Sequence, residues 1–311
     1  MGNDQMRAVI WESYGGPEVL KIKTVDKPAP RPDELLIKIV ATAVNSGDVT
    51  VRALKGNFVF KVAMNFIFGF GKPRNLILGT VYAGVVEQVG HRVKNFKAGD
   101  EVFGLRGFKF GTYAEYVSVK ENSVVSLMPC NASFEEAAAL LFGGQTAHYF
   151  LHKAGIADTP GLSVLVYGAT GAVGTSALQI AKYYGAKVTA VCSDYNEKLV
   201  MNLGADKVIF YNKEDFTKTN EKYDIILDAV GKISKKQCAH LLKANGKFHT
   251  VGGFEYATES IEQVRFLKDL FESGHYDAAI DRVYRMDEIV EAHAYVDSGR
   301  KKGNVVLKIT G

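Results

Sequence analysis

Residues 166–176 read VYGATGAVGTS. Gly168, Gly171 and Gly174 follow an apolar run, SVLVY, and open a helix-patterned one. Glycines at such a turn allow a sharp reversal, a close approach of phosphate to backbone, and tight packing of helix on strand. The helix that begins there presents unpaired N–H groups and a partial positive charge. The strict GxGxxG pattern would have glycine where this chain has Ala169. The run Ala169, Thr170, Gly171, Ala172, Val173, Gly174 is thus a candidate cradle for a dinucleotide pyrophosphate. A ligand-free packing turn is the alternative.

The tip of the next strand, about 20 residues on, reads the ribose of such a ligand. There the chain runs VCSDYNEK (191–198). An acid at the tip would hold the ribose diol, whereas a small hydroxyl with a nearby cation suits a 2′-phosphate. KVTAVC is expected to end at Cys192, which leaves Ser193 at the tip and Lys198 on the following helix. NADP(H) is therefore favoured over NAD(H). A strand two residues longer would bring Asp194 to the diol instead. Val230–Gly231 and Gly252–Gly253 end the next two strands, where backbone meets the nicotinamide half.

Other chemistries find less support. His148 and His152 are four apart on one helix, a metal-ligand spacing, but HYFLH has no acid between them and reads as ordinary helix histidines. No serine sits in a G-x-S-x-G elbow. Cys192 reads as a small buried hydrophobe rather than a nucleophile.

These residues need a scaffold that alternates strand and helix. SVLVYG, KVTAVCS, KVIFY, YDIILDAVG and GKFHTVGG read as strands, with AVGTSALQIAKYYG and NEKLVMNLG as helices between them, the pattern of a parallel sheet. Before them, 131–155 reads as a helix capped by Ser133 with Glu135 and Glu136 in its first turn. The first ~125 residues carry short β-branched or alternating runs (6–12, 34–44, 82–90, 100–105, 114–119) punctuated by Gly, Pro, Asn and Asp, as in an antiparallel barrel. A helix at 261–274, a strand at 278–287, a helix at 287–299 and a strand at 303–309 follow. The expected division is 1–125, 126–276 and 277–311.

The whole chain sets outer bounds. Its 311 residues suggest two domains at roughly 100–200 residues each. A net charge of +4, with no block of basic residues, gives no footprint for nucleic acid. Three widely spaced cysteines, Cys130, Cys192 and Cys238, form neither a disulfide framework nor a CxxC site, and with no apolar signal core at the N-terminus they favour a cytoplasmic protein. The stretch 54–71 holds Phe58, Phe60, Met64, Phe66, Phe68 and Phe70 but is too broken by Gly and Lys to span a bilayer. It could form a lid over a flat substrate, a small satellite core, or a peripheral membrane contact, of which the last is least expected.

Eight segments together resemble the medium-chain dehydrogenase/reductase superfamily, in its zinc-free quinone oxidoreductase branch: AVNSGDVTVRALKG (43–56), LGTVYAGVVEQVGHRVKNFKAGDEVFG (78–104), GTYAEY (111–116), EEAAALLFGGQTA (135–147), GATGAVG (168–174), LGAD (203–206), DAVG (228–231) and RKKGNVVL (300–307). The resemblance implies an α/β fold: a GroES-like β-barrel catalytic domain, to which the C-terminal segment returns, and a Rossmann doubly wound parallel-sheet domain. It implies hydride transfer from NADPH. It further assigns Asn45 and Asp48 to catalysis, Asn45 facing the nicotinamide, although Asn-Ser-Gly-Asp is strong turn chemistry by itself. Thr146, Tyr211 and Asn304 join the cofactor residues by the same resemblance. For Thr146 a hydroxyl bonded back to its own helix is the alternative. Phe58, Tyr82 and Phe142 are candidates for the substrate pocket.

Departures from the superfamily are informative too. Zinc-dependent relatives carry a cysteine where this chain has Asn45–Ser46, and Gly-His-Glu where it has Gly79-Thr80-Val81. Catalytic zinc needs three N, S or O side chains, so no zinc is expected. Phe58 lies close to where enoyl-thioester reductases place a tyrosine, and a phenyl ring donates no proton. The segment after VGGFEY (251–256) is shorter than in relatives, which carry there strands that extend the sheet and make a dimer, so a homodimer stays open. The expected activity is NADPH-dependent, zinc-independent reduction of a small apolar quinone or α,β-unsaturated carbonyl. The alternative is a nucleotide-binding redox sensor or partner-binding protein without turnover.

Overall fold

The computed structural model of the protein describes residues 5–56, 58–74, 76–253 and 255–310, with the backbone alone for residues 58–60 and 63. Two compact units divide the chain, Met1–Leu141 with Ile280–Gly311, and Phe142–Ala279. The sequence reading drew its divisions at 125/126 and 276/277.

The first unit begins with β1 (Gln5–Trp11) and β2 (Leu20–Asp26), an antiparallel pair. Its larger sheet is built on β3 (Glu34–Val44), whose eleven residues are buried over most of their length. After β3 come α1 (Ser46–Arg52) and α2 (Phe58–Phe68). Strands β4 (Val81–Val89), β5 (Glu101–Leu105), β6 (Tyr116–Lys120) and β7 (Val125–Leu127) follow. Strand β3 pairs antiparallel with both β4 and β6. Side chains from both faces of these strands are buried, including Trp11, Ile37 and Tyr82, and with Tyr113 from the loop before β6 they make the barrel-like core.

Helix α3 (Phe134–Lys153) starts at a capping box: Ser133 Oγ accepts the Glu136 N–H, and Glu136 returns a carboxylate oxygen to the Ser133 N–H. In the second unit β8 (Ser163–Tyr167), α4 (Ala172–Tyr183), β9 (Lys187–Cys192), α5 (Glu197–Asn202), β10 (Lys207–Phe210), β11 (Tyr223–Asp228), α6 (Lys235–Cys238) and β12 (Leu242–Thr250) succeed one another, and α7 (Ile261–Glu272) closes the unit. The five strands are all parallel, in the order β10-β9-β8-β11-β12. Strand order reverses between β8 and β11, and ligands of doubly wound sheets bind beyond the carboxyl ends at that point. The chain then returns to the first unit as β13 (Ile280–Arg285), α8 (Ile289–Asp297) and β14 (Asn304–Lys308). Strand β14 pairs antiparallel with β3. A GroES-like barrel and a Rossmann sheet are thus both present.

Strand β2, helices α1, α2 and α6 and the short strand β7 escaped the sequence reading. Strand β2 (LKIKTVD) alternates weakly and lies mostly exposed, so its hydrophobic period is faint. The aromatic stretch is helical: Phe68 packs on Phe110 at 5.3 Å between ring centroids, while Phe66 and Phe70 are exposed and meet edge to face at 4.9 Å. The side chain of Phe58, expected in a substrate pocket, lies outside the described residues. Among the described residues no helix is long and apolar enough to cross a membrane.

Candidate functional site

The glycine turn joins β8 to α4. Gly168 sits at φ +76°, a left-handed conformation open to glycine. Gly174 lies against the backbone of Ala169, where an added Cβ would approach to 2.7 Å. Gly171 is different. A Cβ there would meet only the Gly168 carbonyl oxygen, at 3.7 Å. Its packing therefore does not demand glycine; its place at the start of α4 does, if a ligand comes close. No side chain caps α4, so the N–H groups of Ala172, Val173 and Gly174 are left open at a positive helix end. This cradle suits a pyrophosphate.

Helix α3 is held against this point. A Cβ on Gly143 would lie 2.6 Å from the Ala172 carbonyl carbon, so glycine there lets the two helix backbones nearly touch. Thr146 follows one turn later. Its hydroxyl donates to the Phe142 carbonyl at 2.8 Å, the back-bonded alternative, and the Phe142 ring is half-buried.

At the carboxyl ends of β11 and β12 two loops meet backbone to backbone. A Cβ on Gly231 (φ +73°) would lie 2.7 Å from Gly252 Cα. Asp228, fully buried, shapes this place. Its carboxylate accepts N–H groups from Val230 (3.1 Å), Gly231 (2.9 Å) and Ile233 (3.0 Å) and the Thr250 hydroxyl (2.9 Å). Sequence reasoning singled out Val230–Gly231 and Gly252–Gly253 but missed Asp228, which holds them. The signal was present in an acid at the end of an apolar strand, followed by turn residues. Gly253 lies beside Thr250 in the same turn.

Strand β9 ends at Cys192, so Ser193 stands at the tip and accepts from Asn196 Nδ2 at 2.9 Å. The Asp194 carboxylate is engaged by Lys213 and Asn212, both at 2.9 Å, and these partners hold its pKa below the usual value. Tyr211 is half exposed beside it, its N–H on the Cys192 carbonyl. Lys198 is exposed on α5.

In the first unit a chain of polar groups runs outward from the core. The Tyr113 hydroxyl donates to Asp48 at 2.9 Å. Asn45 and Asp48 form a capping box on α1: the Asp48 N–H donates to Asn45 Oδ1 at 3.0 Å, and the Asn45 N–H donates to Asp48 Oδ2 at 3.2 Å. Asn45 Nδ2 in turn donates to Thr80 Oγ1 at 2.9 Å. The turn reading of Asn45 is realised, and its amide is oriented by it. Burial pushes Asp48 up to about 7, against the lowering effect of hydrogen bonds from Asn45, Tyr113 and Gly79. Among the described residues Asp48 Oδ1 has no hydrogen-bond partner. Asn304 opens β14 next to the Val305–Val44 pair and is buried near Asn45 in register. Tyr82 needs correction as a pocket residue. It is fully buried in the barrel core, its hydroxyl without a partner among the described residues and its pKa raised by burial, because it alternates inward on β4 against Gly104.

Comparison with known proteins then places the chain. Residues 31–129 match the alcohol dehydrogenase GroES-like domain, and residues 172–283 match the zinc-binding dehydrogenase family. The chain is 37% identical to a 2-methylene-furan-3-one reductase of Solanum lycopersicum, over 97% of this chain and 79% of the relative. It is 29% identical to the quinone oxidoreductase of Homo sapiens, over 96% of each. The solved quinone oxidoreductase from Coxiella burnetii superposes with a TM-score of 0.87 at 28% identity, covering 98% of this chain and all of that one. The chain belongs to the medium-chain dehydrogenase/reductase superfamily. It falls in the quinone oxidoreductase-like branch and is an oxidoreductase of the medium-chain type.

Among the described residues no group of three or more His, Cys, Asp or Glu is placed to hold a metal ion. Two of the positions compared with zinc ligands, Asn45 and Thr80, are instead hydrogen bonded to each other.

Proposed function

We propose that the chain is an NADPH-dependent reductase of quinones or α,β-unsaturated carbonyls that works without zinc. The observation that carries this reading is the cradle: open N–H groups at the start of α4, a glycine at 171 that its own packing does not require, and the Asp228-pinned loops beyond β11 and β12. Relatives named quinone oxidoreductase and 2-methylene-furan-3-one reductase support the substrate class.

The cradle residues from Ala169 to Gly174 would hold the pyrophosphate. Ser193 and Lys198 would take the 2′-phosphate, and Asp194, already answered by Lys213, adds less repulsion than an unpaired acid would. When bound, the reduced nicotinamide supplies a hydride. Asn45, with its amide fixed by Asp48 and Thr80, orients the carbonyl oxygen of the substrate. The product proton comes from water. A cytoplasmic location fits two cysteines that are buried, with thiol pKa values raised to about 11 by that burial. The homodimer remains open to a measurement of mass.

Paired fluorescence titrations with NADPH and NADH, and absorbance at 340 nm with a panel of quinones and enones, test the reading. Tighter NADPH binding with turnover is expected. Binding without turnover on any of the panel would favour the redox-sensor alternative.

A further inference from the structure

The polar chain in the first unit grades outward. Tyr113 and Asp48 are wholly buried, Asn45 keeps 3% of its surface and Thr80 keeps 9%. Thr80 is the outermost link. Its oxygen accepts from Asn45 Nδ2, and no acceptor among the described residues takes its hydroxyl proton. Asn45 Nδ2 carries two N–H groups, and Thr80 uses one of them. Two neutral donors therefore stand 2.9 Å apart with protons to give, at the end of a network that fixes both.

The rigidity has visible causes. Asp48 holds Asn45 by its backbone and is itself held by Tyr113. Gly79, at φ +91°, directs the start of β4, and a Cβ there would lie 2.5 Å from the Tyr113 ring. Thr80 thus projects from a turn that is packed on the same tyrosine.

We propose that Thr80, together with Asn45, forms a two-donor cradle for the substrate oxygen as it takes up negative charge, and that the Thr80 hydroxyl is a catalytic donor. The proposal rests on the reductase reading above. In an enone, a hydride added to the β-carbon breaks the C=C bond and moves an electron pair onto the carbonyl oxygen, giving an enolate. Water then protonates the α-carbon, so hydride and proton together account for the saturated ketone. In a quinone, hydride delivered to one carbonyl oxygen leaves the other as a phenolate that water protonates. In each case the charge grows on the oxygen that the two donors would receive. Donors preorganised toward developing charge favour the transition state more than the substrate, so they act on kcat more than on KM.

The test compares Thr80→Val, which keeps the shape, with Thr80→Ser, which keeps the hydroxyl. With an enone substrate, Thr80→Val is expected to lower kcat roughly 10²-fold with little change in KM, and Thr80→Ser to restore most of it. A second readout needs no turnover. Bound 4-nitrophenol, an oxyanion mimic, should show a smaller phenolate fraction by absorbance in Thr80→Val than in the wild type at one pH. NADPH affinity and melting temperature check that each variant is folded. Equal kcat and equal phenolate fraction in Thr80→Val would overturn the cradle and leave the reductase reading standing. If the wild type turns over no substrate, a phenolate difference still supports the cradle while the reductase reading fails.

Discussion

At the scale of single residues, Asp48 is where burial and hydrogen bonding oppose each other most clearly. The folded protein keeps its proton up to about pH 7, whereas an unfolded chain releases it near the ordinary carboxylate value of about 4. Between those values the folded state binds more protons. This group's contribution to stability is therefore full below pH 4, falls as pH rises by at most about 1.4 kcal/mol per unit, and is flat above 7. Asp48→Asn keeps an acceptor for Asn45 and Tyr113 and removes the titration. Urea midpoints of the wild type should fall relative to those of the variant from pH 5 to 7, and the gap should then stay constant. A gap that never changes over that range would mean that Asp48 is ionised throughout. The neighbouring His293 follows the same physics with the opposite charge: burial and the Arg52 guanidinium, 3.3 Å away, pull it down to about 3, so it stays neutral beside the Arg52–Asp297 ion pair.

At the scale of elements, the β8–α4 turn separates glycines needed for packing from one that its packing leaves unused. Gly174→Ala drives a Cβ into the backbone of Ala169 and should lower stability by about 1–3 kcal/mol, read as a lower melting temperature. Gly171→Ala meets only one atom, at 3.7 Å, so its melting temperature should be close to that of the wild type while NADPH affinity falls. If Gly171→Ala bound NADPH normally, the pyrophosphate would not sit over this glycine. The strand–turn–helix setting was legible here because the glycines, the apolar strand and the helix are neighbours in sequence. Capping was legible at Ser133 for the same reason. Helix α2 was not, since a run of Phe, Val, Ile and Met with few polar residues carries no clear period, and the packing of its Phe68 is settled by Phe110, some forty residues away.

At the scale of the whole molecule, the barrel is assembled from both ends of the chain. Helix α8, strand β14 and the turn before α8 bring Met286, Ile289, Val296, Val305 and Leu307 into the same core as Trp11, Ile37 and Tyr113. A chain ending at residue 279 would leave Ala41–Val44 of β3 without the β14 partner and that core open. It should lose the near-ultraviolet dichroism of its buried aromatic residues and be cut rapidly within residues 5–141 by a protease. Protection equal to that of the full chain would show that the barrel closes without its C-terminal strands. Among the described residues the parallel sheet has five strands, against six in the doubly wound order 3-2-1-4-5-6.

The sequence by itself determined the superfamily, the parallel sheet, the glycine cradle and the end of β9 that puts Ser193 at the strand tip. Each of these depends on residues adjacent along the chain, whose spacing sets strand, turn and helix directly. Only the tertiary structure decided that Tyr82 belongs to the core, that Asp228 pins two loops, and that Thr80 meets Asn45. Asn45 and Thr80 are 35 residues apart, and Asp48 and Tyr113 are 65 apart. Their meeting follows from the pairing of β3 with β4 and from the packing of a buried tyrosine, and no local pattern encodes which distant side chains such packing will bring within a hydrogen bond.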